Sequence, residues 1–179
     1  MKQFWLSLLL LFTCALSSAQ SIPAVKAKSL DGSEVTLPDS SSQQTLILII
    51  GFSKKSGELC RVWGKKIAAD YDADSRIRYF ILPVLQGAPS LIRPMIVRGM
   101  RKSASAHELP HFVPLYSGES DWKRVVSFSM PDDAYLVVAA PDGRPAWQAH
   151  GSYSDSVYRD LKGSVAALLE GISKGAFHR

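Results

Sequence analysis

The chain has 179 residues, 46% apolar and 21% charged, with 21 Lys+Arg against 16 Asp+Glu for a formal charge of +5. That is ordinary globular composition: it excludes a disordered, collagenous or multi-span membrane protein and predicts one compact domain. Two cysteines, Cys14 and Cys60, exclude a disulfide-stapled scaffold and a four-cysteine metal site.

Residues 1–19 read as a secretory signal peptide. Lys2 supplies a positive charge, Phe4 to Leu16 is almost wholly apolar, and Ser17-Ser18-Ala19 offers small residues for a signal peptidase. The apolar run is shorter than the roughly 20 residues a spanning helix needs. Two alternatives stay open: Leu11-Phe12-Thr13-Cys14 faintly resembles a lipoprotein box, and the segment could remain as an uncleaved anchor. Cleavage after Ala19 predicts an exported protein of the periplasm or cell envelope, soluble or membrane-attached, with 20–179 as its single domain. Cys60 is then the only cysteine, so an internal disulfide is impossible.

The elements follow in order. Asp31-Gly32 is a turn signal between Val25-Lys26-Ala27 and Glu34-Val35-Thr36. Thr45 to Ile50 is a continuous apolar run, the pattern of a strand buried on both faces. Gly51 to Lys55 reads as a loop, and Ser56 as the cap of a helix ending near Tyr71, with Leu59, Val62, Trp63 and Ile67 at helical spacing. Arg76 to Val84 is the next strand, parallel to the first across a right-handed crossover. Gln86 to Ser105 reads as a second helix with loop entry, interrupted by Pro89 and Pro94; Pro94 fits best at the first helical position, with the helix running from there to about Ser103, and Glu108 to Gly118 reads as a loop. Ser120-Asp121 opens a short helix through Phe128. Ala134 to Ala140 is a strand, turned by Pro141-Asp142-Gly143-Arg144 into Ala146 to Ala149. Ser154 caps a last helix with Val157, Leu161, Val165, Leu168, Leu169 and Ile172 on its apolar face.

The order β-α-β, a helical insertion at about 85–120, then β-β-α is the core order of the thioredoxin-like fold. It predicts an α/β protein with a mixed sheet flanked by helices and an insertion before the third core strand. That fold commonly holds a cis proline just before its third core strand. Pro131 stands near that place, and an ordinary proline at the start of a strand is the alternative.

In thioredoxin-like oxidoreductases a Cys-x-x-Cys pair stands where the first core strand hands over to its helix. Here Cys60 falls at the second cysteine and Gly57 at the first, the attacking one. Dithiol exchange needs both thiols, so the expectation leans away from an enzyme of that kind. A single-cysteine redox role at Cys60 is the alternative, since Lys54, Lys55, Arg61 and an early helical position all favour thiolate. The bland reading is a small buried core residue. His107 and His111 are four apart, but Pro110 between them breaks the helix that two metal ligands would need. No metal, cofactor or phosphate-binding loop is expected.

The most unusual segment runs from Leu91 to Lys102. On a helix at about 100° per residue, Ile92, Met95, Ile96, Gly99 and Met100 share one arc, while Arg93, Arg98, Arg101 and Lys102 occupy the other. One reading is a core-packing helix with a solvated cationic face. The other is a docking surface in which Met95, Ile96 and Met100 make apolar contact and Arg93, Arg98 and Arg101 make charge contact. Its partner would be a protein, such as a membrane-protein helix, or an anionic membrane surface. The charge is too small and the aromatics too sparse for nucleic acid.

Several of these features together resemble one family. Trp63 lies in the helix after the first apolar strand. Ser90-Leu91-Ile92-Arg93 leads into Arg98-Gly99-Met100-Arg101. Tyr135 begins a strand ending in Asp142-Gly143-Arg144, followed by Trp147 and Gly151. This pattern, over about Leu46 to Leu169, is similar to the thioredoxin-like assembly factors of the mitochondrial ATP synthase, chaperones of its membrane subunit a. The resemblance implies structural roles for Trp63, Asp142 and Gly143 and carries Arg93, Arg98 and Arg101 over as matched positions. A secretory signal in place of a transit peptide points to a bacterial relative. The expectation is a non-catalytic assembly factor or chaperone-like protein of the cell envelope.

Overall fold

A computed structural model describes residues 21–39 and 41–176, with side chains as far as residue 172. The expected signal peptide, including Cys14, lies outside the described residues.

The chain opens with an antiparallel hairpin of β1 (Val25–Lys28) and β2 (Glu34–Leu37). Its turn follows from Asp31-Gly32: the Asp31 carboxylate accepts the Ser33 amide at 3.0 Å, and Gly32 takes φ +100°, a conformation cheap only for glycine. β3 (Thr45–Gly51) is buried at every residue. It lies inside a four-stranded sheet of order β4-β3-β5-β6, parallel to β4 (Ile77–Pro83) and antiparallel to β5 (Tyr135–Ala139), which pairs antiparallel with β6 (Pro145–His150).

The twofold alternation of β3 splits the core into two layers. Leu46, Leu48 and Ile50 face a layer with Phe80, Leu82, Val137, the hairpin's Val35 and Leu37, and Trp122. Ile47 and Ile49 face a layer with Tyr79, Ile81, Leu136 and Val138, closed by α1 (Lys54–Tyr71) through Trp63 and Ile67 and by α4 (Asp155–Ala176) through Leu161 and Val165. Each fully buried aliphatic side chain contributes about 1.5–3 kcal/mol, and β3 anchors both layers together with β4 and β5.

Two local expectations are corrected and one holds. The α1 cap is Ser53, not Ser56. Ser53 accepts the Ser56 amide, and Ser56 returns the bond to the Ser53 amide, closing a reciprocal capping box. The second helix has the span expected of it: α2 (Arg93–Ser103) carries Pro94 in its first turn, where the missing N–H costs nothing. Residues 112–115 are a ribbon along β4 and not a free loop. Val113 donates to Ile81 O and Leu115 to Pro83 O, both at 2.9 Å. Phe112, Val113 and Leu115 are buried there, and buried backbone must find partners; Pro114 falls on the side that needs no donor toward β4. A 3₁₀ turn (Leu109–His111) precedes this ribbon, and α3 (Glu119–Val125) follows it.

The last connection is the Pro141–Arg144 turn. Gly143 takes φ +85° and its carbonyl accepts the Ile22 amide at 2.9 Å, so this turn fastens the start of the described chain to the sheet. Ser154 caps α4 as expected, accepting the Val157 amide at 3.3 Å. The cis X–Pro bond among the described residues is Leu37–Pro38, not Met130–Pro131. No helix among them is long and apolar enough to cross a membrane.

Candidate functional site

The handover from β3 to α1 lies four residues earlier than the sequence spacing put it. Ser53 caps the helix, whereas Gly57 sits a full turn inside it, half-buried and with open space before its Cα. The handover therefore reads Ser53-Lys54-Lys55-Ser56, two hydroxyls at Cys-x-x-Cys spacing. Ser53 is partly exposed and Ser56 is buried. The Ser53 hydroxyl donates to Asp132 Oδ1 at 2.9 Å, and Lys55 lies 3.5 Å from the other Asp132 oxygen. Asp132 follows Pro131, so the loop before β5 leans on the start of α1. Tyr135 fixes that loop: its phenol oxygen accepts the Ser129 and Met130 amides at 2.9 and 2.8 Å and donates to Met130 O at 3.0 Å. Phe52 and Phe128 pack edge-on beside it at 5.0 Å. Pro131 is exposed.

Cys60 lies one turn deeper, and only 1% of it is exposed. A Cβ at Gly51 would meet its Sγ at 3.0 Å. Burial pushes the thiol up to about 12, so at neutral pH it stays protonated. The cations that favour thiolate in the sequence do not reach it: Lys54 and Lys55 are exposed, and Arg61 bonds Ser103 on α2.

The amphipathic helix does not lie on the arc its pattern predicted. Val97, Met100 and Ala104 pack against the α1 layer of the core, while Met95 is 67% exposed and Leu91 90%. Ile92 is exposed and Ile96 half-buried. The arginines divide likewise. Arg93 donates to the carbonyls of Ala88 and Gln86 at 2.8 and 2.9 Å, tying down the segment that leads into α2. Arg101 donates to Leu30 O at 2.8 Å. Arg98 and Lys102 are exposed and make no hydrogen bond or ion pair among the described residues. The free surface is thus Leu91, Ile92, Met95, Arg98 and Lys102, with Arg93 and Arg101 as ties at its two ends. The pattern alone could not distinguish these roles, since the carbonyls involved belong to loops.

Trp63 is fully buried and donates its indole N–H to Gly151 O at 3.0 Å. The Asp142 carboxylate accepts the Arg144 amide at 3.0 Å and its Nε at 2.6 Å. A Cβ at Gly143 would meet Pro38 and Ser21 at 2.8 Å. His107 and His111 both turn to Asp72, at 2.6 and 3.5 Å, and the His111 ring stacks on Tyr79. Among the described residues no group of three His, Cys, Asp or Glu side chains is placed to hold a metal.

No family model matches the sequence, and no curated protein matches it at a significant level. Solved structures do match in fold. The exposed lipoprotein thioredoxin of Streptococcus pneumoniae is 11% identical, with TM-score 0.57 over 79% of this chain and 99% of its own. BsSco, described as a member of the Sco family of cytochrome c oxidase assembly proteins, is 14% identical, with TM-score 0.54 over 82% of this chain and 94% of its own. A thiol-disulfide oxidoreductase of Bacteroides fragilis is 12% identical, with TM-score 0.50 over 80% and 98%. The thioredoxin-like fold is therefore shown, as an α/β mixed sheet flanked by helices.

Proposed function

We propose that this chain is a non-catalytic thioredoxin-like assembly factor or chaperone-like protein of the cell envelope, acting by contact and not by electron transfer. One observation carries the reading: Cys60 is sealed in the core with its thiol pushed up to about 12, while hydroxyls occupy the strand-to-helix handover. A protonated, buried thiol neither attacks a disulfide nor resolves one. That one fold neighbour is described as an assembly protein agrees with the resemblance to the ATP synthase assembly factors, and the finer reading is a bacterial relative of them that serves a membrane subunit.

The contact surface is the outer side of α2, where Leu91, Ile92 and Met95 stand beside the unpaired Arg98 and Lys102. Apolar side chains next to free cations suit a membrane-protein segment at an anionic headgroup layer. The purified protein is expected to sediment with vesicles containing anionic lipid and to lose that association in Met95→Asp plus Arg98→Glu, two exposed positions that leave the fold intact. Vesicle binding unchanged in the double variant would refute the surface.

A second reading, a thiol redox protein using Cys60, is favoured by the description of neighbours as thiol-disulfide oxidoreductases. It predicts many turnovers of a disulfide or hydroperoxide per molecule, abolished by Cys60→Ser. The contact reading predicts none.

A further inference from the structure

A groove of about 470 Å³ runs between β1, α2 and the segment that follows the β4 ribbon. That volume lies in the range of ligand-binding clefts. Both long walls are extended backbone with unused hydrogen-bonding groups.

The first wall is β1. Ser29 donates its amide to Ser33 O across the hairpin, and β1 and β2 pair antiparallel with Ala27 opposite Val35 and Val25 opposite Leu37. In an antiparallel pair only alternate residues bond the partner. Val25, Ala27 and Ser29 therefore face β2, and the amides and carbonyls of Lys26 and Lys28 face outward. The next outward residue, Leu30, shows what that edge accepts: its amide donates to Phe112 O at 2.9 Å and its carbonyl takes Arg101. The second wall obeys the same alternation. Val113 and Leu115 spend their amides on β4, which leaves the Pro114 carbonyl and the Tyr116 amide on the groove side. The two edges thus meet at Leu30 and Phe112 and part beyond it, with the groove between them.

Trp122 lies in the groove wall and is fully buried, yet its indole N–H has no acceptor among the described residues. The ring carbon next to that nitrogen lies 3.8 Å from where Gly118, another groove residue, would carry a Cβ. A buried donor left unpaired costs about 1–3 kcal/mol, so an acceptor supplied by an occupant is a ready gain.

Charge selects the occupant. Lys26, Lys28 and Arg101 line the groove against one acid, Asp121, which already holds Arg124 at 3.0 Å. Neither lysine has an ion-pair partner among the described residues. A second copy of this chain would bring lysine against lysine, the usual way an edge strand rejects its own kind. We propose that the groove takes an extended acidic peptide segment of another protein, which adds a strand to β1 and bridges the hairpin to the β4 ribbon. This site is separate from the outer side of α2 and does not depend on what that surface binds.

The test uses a fluorescent peptide alternating Glu with Val and measures anisotropy against the purified protein. Saturable binding is expected. Lys26→Glu plus Lys28→Glu, both at exposed positions, should weaken it at least tenfold and shift preference to a Lys–Val peptide. N-methylation of the peptide amides that face Lys26 and Lys28 should abolish binding, whereas N-methylation of the alternate set should only weaken it, because the ribbon wall offers that set a single carbonyl, that of Pro114. Trp122→Phe keeps the ring and loses the donor, and should weaken binding about five- to tenfold. No saturable binding overturns the proposal, and so does binding indifferent to N-methylation, which would be charge adsorption alone. Self-association of the protein removed by the same lysine substitutions would also overturn it, in favour of a second copy.

Discussion

At Cys60 two influences on one thiol oppose each other, and burial wins. Sequence neighbours favour ionisation, but none of the three nearby cations reaches the sulfur, and desolvation dominates. The folded value is raised from 9.0 to about 12. The contribution to stability is therefore complete below pH 9 and is lost as pH rises from 9 toward 12, because only the unfolded chain ionises there. The wild type should lose up to about 1.4 kcal/mol per pH unit over that window beyond what Cys60→Ala loses; urea midpoints at pH 8 and 11 measure it. At neutral pH a thiol reagent should label Cys60 only at the rate of unfolding, and prompt labelling of the native protein would contradict the burial. Gly143 is a second residue whose role is geometric. Ala there must hold φ +85° and push a Cβ within 2.8 Å of Pro38, a rigid ring. Gly143→Ala should cost about 1–3 kcal/mol by chemical denaturation, where the same change at the open Gly57, inside a helix, should stabilise by up to about 1 kcal/mol.

The elements show where periodicity informs and where it misleads. β3 and α4 were legible because each buries a face that its own residues define: the Ile-rich run of one and the spaced Leu and Val of the other need no knowledge of neighbours. The ribbon at 112–115 was not legible, because its prolines mark a loop and only the open edge of β4 makes it a strand. α2 was legible as a helix but not in its orientation. Its pattern ranks residues by polarity, whereas its seating depends on where loop carbonyls offer acceptors to arginines. Arg93 and Arg101 each tie α2 to another segment; Arg98 ties nothing. Arg93→Ala and Arg101→Ala should each lower stability by about 1 kcal/mol, and Arg98→Ala by less than about 0.5. Equal costs at all three would mean that the ties are not formed in solution.

The molecule as a whole followed from the order of its elements, since a buried parallel pair, a crossover helix and a terminal hairpin leave few ways to close a sheet. The site was less legible. Counting back from Cys60 puts the handover at Gly57, while the helix starts where Ser53 caps it, a choice the capping box makes. A Ser-x-x-Ser ahead of a helical pattern is the available signal, which in the sequence alone reads as a single cap at Ser56. Those two hydroxyls hold the helix start with the same spacing that sulfur would need to carry electrons, one of them open to solvent and the other shielded. Replacing both oxygens, as Ser53→Cys with Ser56→Cys, should give up about 1 kcal/mol of helix capping and yield a chain that closes an internal bridge under mild oxidation and speeds reduction of insulin by dithiothreitol. The scaffold would then be dormant for redox chemistry by two atoms, and its architecture would already hold the means to be re-armed.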